Sequence, residues 1–206
     1  MESSFLIHRS RIIFNVDIFI INTLQLFKEL LMNRITYLFP FTESFVDYPD
    51  NESLVISIYF LGCNNNCENC SNTDLQDKKY SGHNVKNDNS IDPIIDLIYE
   101  DAKQVKTNKL VFIGGDPLFE DNVENTKSLI QRLKKDFSIC IYTGKSVGYA
   151  KMNEVTDFTF LKTGQYAEMY KQEALKTDEY MQFASYNQEL YDTDYQLLSA
   201  NGIYYF

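Results

Sequence analysis

Four short apolar runs, alternating with segments of helical period, restrict this chain to a layered α/β fold. Residues 54–60 form a nearly continuous apolar run containing Val55, Ile56 and Ile58, the pattern of a strand buried on both faces. Residues 110–113 repeat the pattern and end at Gly114 and Gly115, and residues 138–142 and 158–161 supply a third and a fourth strand. Between the first two, Asp92 and Pro93 read as an N-cap and first-turn pair ahead of Ile94, Ile98, Ala102 and Val105 at helical spacing. Between the second and third, Asp121 with Glu124 reads as a capping box ahead of Ile130, Leu133 and Phe137. Repeated strand–helix units with right-handed crossovers predict a mostly parallel sheet, open or curled into a partial barrel. Ligands of such sheets sit at the C-terminal ends of the strands.

Three segments stand apart from that alternation. Residues 71–90 are rich in Asn, Asp, Lys and Ser with no hydrophobic period, and read as a surface loop or lid. Residues 195–206 are apolar around Asn201 and Gly202, a two-residue turn signal that predicts a small hairpin. Residues 1–31 place Arg9 and Arg11 before an apolar stretch, 12–27, that Asn15, Asp17, Asn22, Thr23 and Gln25 interrupt. Its longest unbroken run is 18–21, far short of the roughly 20 residues of a membrane span, and no small-residue cleavage site follows. We therefore divide the chain into an N-terminal appendage, 1–31, and one domain, 32–206. The appendage is either an upstream in-frame extension or an added amphipathic helix.

With 206 residues, 44% of them hydrophobic, the chain can bury an ordinary single-domain core. Its 19 basic and 29 acidic residues leave a formal charge of −10, so it has no basic stripe with which to neutralise phosphates. Nucleic acid and membrane are thus not expected partners. An acidic surface suits docking on another protein or binding a small ligand.

The cysteines locate the chemistry. Of the four, Cys63, Cys67 and Cys70 follow the first strand at C-x3-C-x2-C spacing, and Cys140 stands alone. Three thiolates on one loop can converge on a metal centre that lowers the pKa of each. If that centre is a cuboidal iron–sulfur cluster, three of its four irons are held and the last stays open to an exogenous ligand. A zinc site completed by His83 is the competing reading, and three free thiols the other. Cys140 lies between Ile139 and Ile141 in the third strand and reads as a packed small hydrophobe. Gly114-Gly115-Asp116-Pro117 closes the second strand. Its glycines permit close backbone approach, and its strand-end carbonyls and the Asp116 carboxylate can accept from a cationic amine.

A cysteine triad after one strand and Gly-Gly-Asp-Pro after the next resembles the radical S-adenosylmethionine superfamily. Asn72, Leu118, Tyr142-Thr143-Gly144 and Ser185-Tyr186-Asn187-Gln188 resemble, within it, the activating proteins of anaerobic ribonucleoside-triphosphate reductase, from about Met32 to Tyr191. Where that family has Gly-Pro-Gly before the first strand this chain has Tyr48-Pro49-Asp50, and Asn69 replaces the glycine before the third cysteine.

The resemblance implies a partial (β/α) barrel with a [4Fe-4S] cluster on Cys63, Cys67 and Cys70 and S-adenosylmethionine bound at Asn69, Ser71, Ile113, Gly114, Gly115 and Asp116. No side chain is assigned as catalytic, because the cofactor carries the hard chemistry. The implied reaction is reductive cleavage of S-adenosylmethionine, with an electron from a flavodoxin-type donor, leading to a glycyl radical on the partner reductase. An oxygen-sensitive cluster implies a reducing cytoplasm. Two alternatives stay open: a radical enzyme acting on a small molecule such as a deazapurine precursor, and a zinc-stabilised non-catalytic domain. Purified without oxygen, the protein is expected to contain iron and sulfide in near-equal amounts, about four irons per chain. Cys63→Ala, Cys67→Ala or Cys70→Ala should each remove the colour and Cys140→Ala should keep it. Stoichiometric zinc in a colourless protein contradicts the cluster.

Overall fold

The computed structural model describes residues 34–50, 54–82, 84–173 and 180–205. The appendage 1–31 and His83 lie outside the described residues. Eleven strands and three helices follow one another along the described chain. They are β1 (Ile35–Leu38), β2 (Thr42–Ser44), β3 (Val55–Phe60), β4 (Val85–Asp88), α1 (Asp92–Val105), β5 (Lys109–Gly114), α2 (Val123–Leu133), β6 (Ser138–Tyr142), α3 (Val147–Met152), β7 (Phe160–Thr163), β8 (Tyr180–Gln182), β9 (Glu189–Asp192), β10 (Leu197–Ser199) and β11 (Ile203–Tyr205). The main sheet runs β10-β9-β7-β6-β5-β3-β1-β4, with β2 also on β3. Its centre, β3-β5-β6-β7, is parallel, as the strand–helix alternation predicts, and both flanks are antiparallel.

The two faces of the sheet have different fates. Ile56, Ile58, Phe60, Leu110, Phe112, Ile139, Ile141 and Leu161 alternate onto one face and pack beneath Ile94 and Ile98 of α1, Leu129 and Leu133 of α2 and Ala150 of α3. Residues of the opposite register, Val55, Val111 and Cys140, make a smaller cluster with Tyr48, Ile113, Tyr142 and Phe160. The β3 run is apolar throughout because this second face is buried as well, though by a loop and not by helices. Cys140 is 0% exposed, a packed hydrophobe as its neighbours indicate.

Several local expectations are corrected. Helix α1 begins one residue early, with Ile91 at the cap and Asp92 already in the first turn, since the fixed φ of Pro93 suits either of the first helical positions. The Asp92 carboxylate accepts from Arg132 of α2 at 3.0 Å instead of capping its own helix. The Asp121–Glu124 box does not form. Asn122 is the cap of α2 and makes no side-chain capping bond, because its amide donates to the carbonyls of Leu61 and Asp116, each at 2.9 Å. The fourth strand is β7, two residues later than 158–161. Phe158 is buried from the preceding turn against Tyr195, so its apolarity reflects the core and not the ladder.

The polar segment 71–90 is more ordered than a loop or lid. It holds a short 3-10 turn, Thr73–Gln76, with Leu75 buried, and the edge strand β4. That strand joins β1 through polar groups, Tyr37 donating to Asp88 at 2.6 Å and Thr36 to Asn87 at 2.7 Å, which hides it from a hydrophobic-period search. The C-terminal hairpin is also absent among the described residues: β10 pairs with β9, whereas β11 pairs with β8 in a separate two-stranded sheet. Gly202 hands the chain from one sheet to the other, its N–H donating to Gln188 O at 3.0 Å and its carbonyl accepting from Phe183 N at 2.7 Å. Truncation of Phe112, fully buried between sheet and helices, to Ala should cost about 3–5 kcal/mol in urea unfolding. Leu197→Ala at a half-exposed edge should cost about 0.5 kcal/mol or less.

Candidate functional site

The C-terminal ends of the parallel strands are laced together by backbone hydrogen bonds. From the β5 end, Gly115 N donates to Phe60 O and Asp116 N to Gly62 O, both at 2.8 Å. Gly62 N and Cys63 N donate in turn to Leu75 O and Gln76 O at 2.8 and 3.0 Å, so the 3-10 turn braces the start of the cysteine loop from its other side. Glycine is required at this junction. Gly114 has φ +113°, and a Cβ on Gly115 would lie 2.6 Å from Gly62 O and 2.7 Å from Leu75 O.

Within the loop, Asn66 and Asn69 have φ of 50° and 53°. Asn tolerates this left-handed region better than other non-glycine residues, which accounts for much of the Asn richness between the cysteines. The turns also aim N–H groups at sulfur: Asn65 N donates to Cys63 Sγ and Asn72 N to Cys70 Sγ, each at 3.4 Å. Gln165 and Tyr166, beyond the end of β7, lie beside Cys67. Burial pushes the thiols of Cys63 and Cys67 up from their ordinary range, and the neighbouring N–H groups oppose it.

Asp116 is the buried centre of this arrangement, 1% exposed. One carboxylate oxygen accepts from Leu118 N at 2.8 Å and Thr143 Oγ1 at 2.7 Å, the other from Asn65 Nδ2 at 2.9 Å and Gly144 N at 3.1 Å. Burial raises its pKa, against the lowering effect of these four bonds. Asn65 extends the tie: its side chain lies against Gly144, where a Cβ would collide with the amide, and its carbonyl accepts from Gln165 Nε2. The 164–167 turn that carries Gln165 is held from the C-terminal segment. Gln188 Nε2 donates to Gly164 O at 3.1 Å, Asn187 Nδ2 to Gln165 O at 2.7 Å, and the Ser185 hydroxyl accepts from Ala167 N at 3.4 Å.

Beneath the loop, on the face without helices, lies a cavity of about 590 Å³. Cys63, Cys67 and Cys70 share its wall with Asn69, Ser71, Ile113, Gly114 and Gly115, and its floor includes Tyr142 and Lys162. Lys162 is 8% exposed, its Nζ 5.1 Å from the Tyr142 ring centroid and 5.8 Å from that of Phe183. No carboxylate among the described residues forms an ion pair with it. Burial lowers its pKa to about 8. A smaller cavity of about 380 Å³ lies on the other side of Ser71 and Asn72, lined also by Tyr59 and Tyr80.

The family model described as "4Fe-4S single cluster domain" matches residues 51–191. The chain belongs to this 4Fe-4S single-cluster family. No curated protein matches it in sequence. Among solved structures, the crystal structure of QueE from Escherichia coli is similar over 53% of this chain and 53% of its own, with 16% identity and a TM-score of 0.42. The chain thus spans about half the length of that structure.

The donor set fits the single cluster of the family. Among the described residues no three His, Cys, Asp or Glu side chains gather closely enough to hold one metal ion. A cuboidal cluster makes a different demand: each thiolate takes its own iron, so three sulfurs must share a cavity wall without meeting at a point. Cys63, Cys67 and Cys70 do so.

Of the other residues singled out from the sequence, Asn69, Ser71, Ile113, Gly114 and Gly115 reach the cavity and Asp116 does not. Its acceptor capacity is consumed by its own turn, the cysteine loop and the β6 turn, so it supports the site from behind. Sequence reasoning missed Asn65, Gln165 and Lys162. Only Lys162 left a signal, a lone cation between Leu161 and Thr163 in an otherwise apolar run. Asp116→Ala leaves buried donors unpaired in three segments and should destabilise the metal-free protein by about 3–5 kcal/mol in urea titration. It should also lower iron uptake, whereas wild-type stability would show the carboxylate to be idle in the fold.

Proposed function

We propose that this chain is a radical S-adenosylmethionine activating enzyme that generates a glycyl radical on anaerobic ribonucleoside-triphosphate reductase. The observation that carries the reading is one cavity whose wall joins three cysteines, the Gly114–Gly115 strand end and a buried lysine that forms no ion pair among the described residues. Its volume lies within the range of small-molecule sites. In this reading Cys63, Cys67 and Cys70 would hold the cluster, leaving one iron without a ligand from these cysteines. When bound, the cluster supplies the electron that splits the sulfonium into methionine and a 5′-deoxyadenosyl radical, which takes a hydrogen atom from a glycine Cα of the reductase.

The residues of the chain bind, orient and shield. Gly114 and Gly115, whose missing side chains let this strand end close on Phe60, Gly62 and Leu75, present strand-end backbone at the cavity wall to the methionine amine. Lys162 faces the carboxylate; a buried ammonium that lies over two aromatic faces and forms no ion pair among the described residues gains a charge-assisted hydrogen bond there. Asn69, Ser71 and Ile113 line the wall left for the nucleoside. Tyr142, Met181 and Phe183 add apolar surface that keeps water from a reactive species. Asp116, through Asn65 and the β6 turn, keeps loop and strand ends in register.

A flavodoxin-type protein as electron donor and a reducing cytoplasm belong to the same proposal. Among the described residues, no helix is long and apolar enough to cross a membrane.

Lys162→Met should retain iron and lose about tenfold or more in S-adenosylmethionine affinity, the worth of one charge-assisted hydrogen bond of about 1.5–3 kcal/mol, read from perturbation of the cluster's paramagnetic resonance. The function is tested by mixing the protein anaerobically with the reductase, S-adenosylmethionine and a reductant. A doublet organic radical should form on the reductase and vanish when the target glycine is Ala, and deuterium from that glycine should appear in 5′-deoxyadenosine. Cleavage at full rate with no radical on the reductase, while a small metabolite is altered, would replace the reading with the small-molecule alternative.

A further inference from the structure

Asn64 and Asn65, the two residues after Cys63, are held from opposite sides. Asn65 reaches inward to Asp116. Asn64 is exposed and reaches outward, its Nδ2 donating to both carboxylate oxygens of Glu120 at 3.1 Å. Lys145 Nζ closes a ring, donating to Asn64 Oδ1 at 2.6 Å and to Glu120 Oε1 at 3.2 Å. Each of these side chains bonds both others, and each comes from a different strand end: the cysteine loop after β3, the turn after β5 and the turn after β6. The supports of the ring are fixed. The Lys145 side chain is 12% exposed, with its Nζ 5.3 Å from the Tyr149 ring centroid. Its backbone N–H donates at 3.0 Å to Thr143 Oγ1, the hydroxyl that bonds Asp116. Beside Glu120, Phe119 abuts the start of the loop so closely that a Cβ on Gly62 would lie 2.8 Å from its ring. An isolated surface ion pair contributes little, whereas a network of matched geometry is the exception. Neither Glu120 nor Lys145 lines the cavity, so their replacement leaves its wall intact.

We propose that Glu120 and Lys145 are positioning residues: they clasp Asn64 from the outer surface and, through it, hold Cys63 in its ligating position before a cluster is bound. Groups that orient a metal ligand act on affinity without touching the metal, because a ligand already in place loses less freedom on binding. The clasp therefore acts on retention of the cluster and not on the molecule in the cavity. The inference rests on ligation of the cluster by Cys63 and is independent of S-adenosylmethionine cleavage.

The test combines hydrogen exchange by mass spectrometry in the metal-free full-length chain with iron release to a chelator from the anaerobically reconstituted holoprotein, for wild type, Glu120→Lys, Lys145→Glu and the double variant. Each single variant sets two like charges against each other beside Asn64. Backbone amides of 62–66 should then exchange about fivefold faster, with those of β5 unchanged, and iron should leave faster by a similar factor. The double variant should recover most of both losses, because the Asn64 amide presents an acceptor and a donor and turns over to meet the exchanged charges. Unchanged exchange at 62–66 in both single variants overturns the proposal. A double variant as fast as the single ones also overturns it, assigning the effect to packing of the Lys145 stem against Tyr149, and so does faster exchange in β5, which assigns it to general stability. Faster exchange with unchanged iron release overturns the action on Cys63. A wild-type chain that takes up no iron contradicts the ligation, and exchange in the metal-free chain then still decides whether the clasp holds the loop.

Discussion

A carboxylate buried to 1% exposure with four hydrogen bonds holds the working end of this molecule together. Asp116 ends the β5 turn, receives the cysteine loop through Asn65 and receives the β6 turn through Thr143 and Gly144. A buried anion is costly in a low-dielectric interior unless its acceptor sites are filled. The three segments that fill them must therefore meet in one arrangement, and the cysteines inherit their position from it. Asn122 reinforces the junction from below by bonding the carbonyls of Leu61 and Asp116, at the expense of the helix cap it could have made.

The sheet explains why the cavity lies where it does. Parallel strands bring their C-terminal ends to one side, and the helices of the strand–helix units cover only one face. The other face is closed lower down by Tyr48 against Val111, Cys140 and Phe160 and opens toward the strand ends, where Ile113, Tyr142 and Lys162 succeed those residues along β5, β6 and β7. Apolar packing thus gives way along the same strands to a ligand-sized space with a cation in its floor.

The parallel core was legible in the sequence because burial on both faces leaves unbroken apolar runs, and the C-x3-C-x2-C loop because metal chemistry needs thiolates at short spacing. What escaped had physical reasons. Strand β4 is secured by side-chain hydrogen bonds at an edge, so it carries no hydrophobic period. Phe158 is apolar for packing outside the ladder, which displaced the apparent fourth strand by two residues. Asn201 and Gly202 have turn composition, yet the chain there passes between two sheets, a pairing that no local signal specifies. Asn65 cannot be told from Asn64 and Asn66 by type, and its role exists only once Asp116 and Gly144 are brought beside it. Asp116 was legible as a site residue, but its burial turns an apparent ligand contact into support for the loop.

The proposed arrangement is three cysteines holding a cluster whose remaining iron is open to a small molecule in the cavity below. Its most direct measurement is electron-nuclear double resonance of the reduced holoprotein with S-adenosylmethionine carrying nitrogen-15 in the amine and oxygen-17 in the carboxylate. Hyperfine coupling of both labels to the cluster is the predicted result. Absence of coupling at saturating S-adenosylmethionine, with a fourth protein ligand on the cluster in its place, would contradict the account.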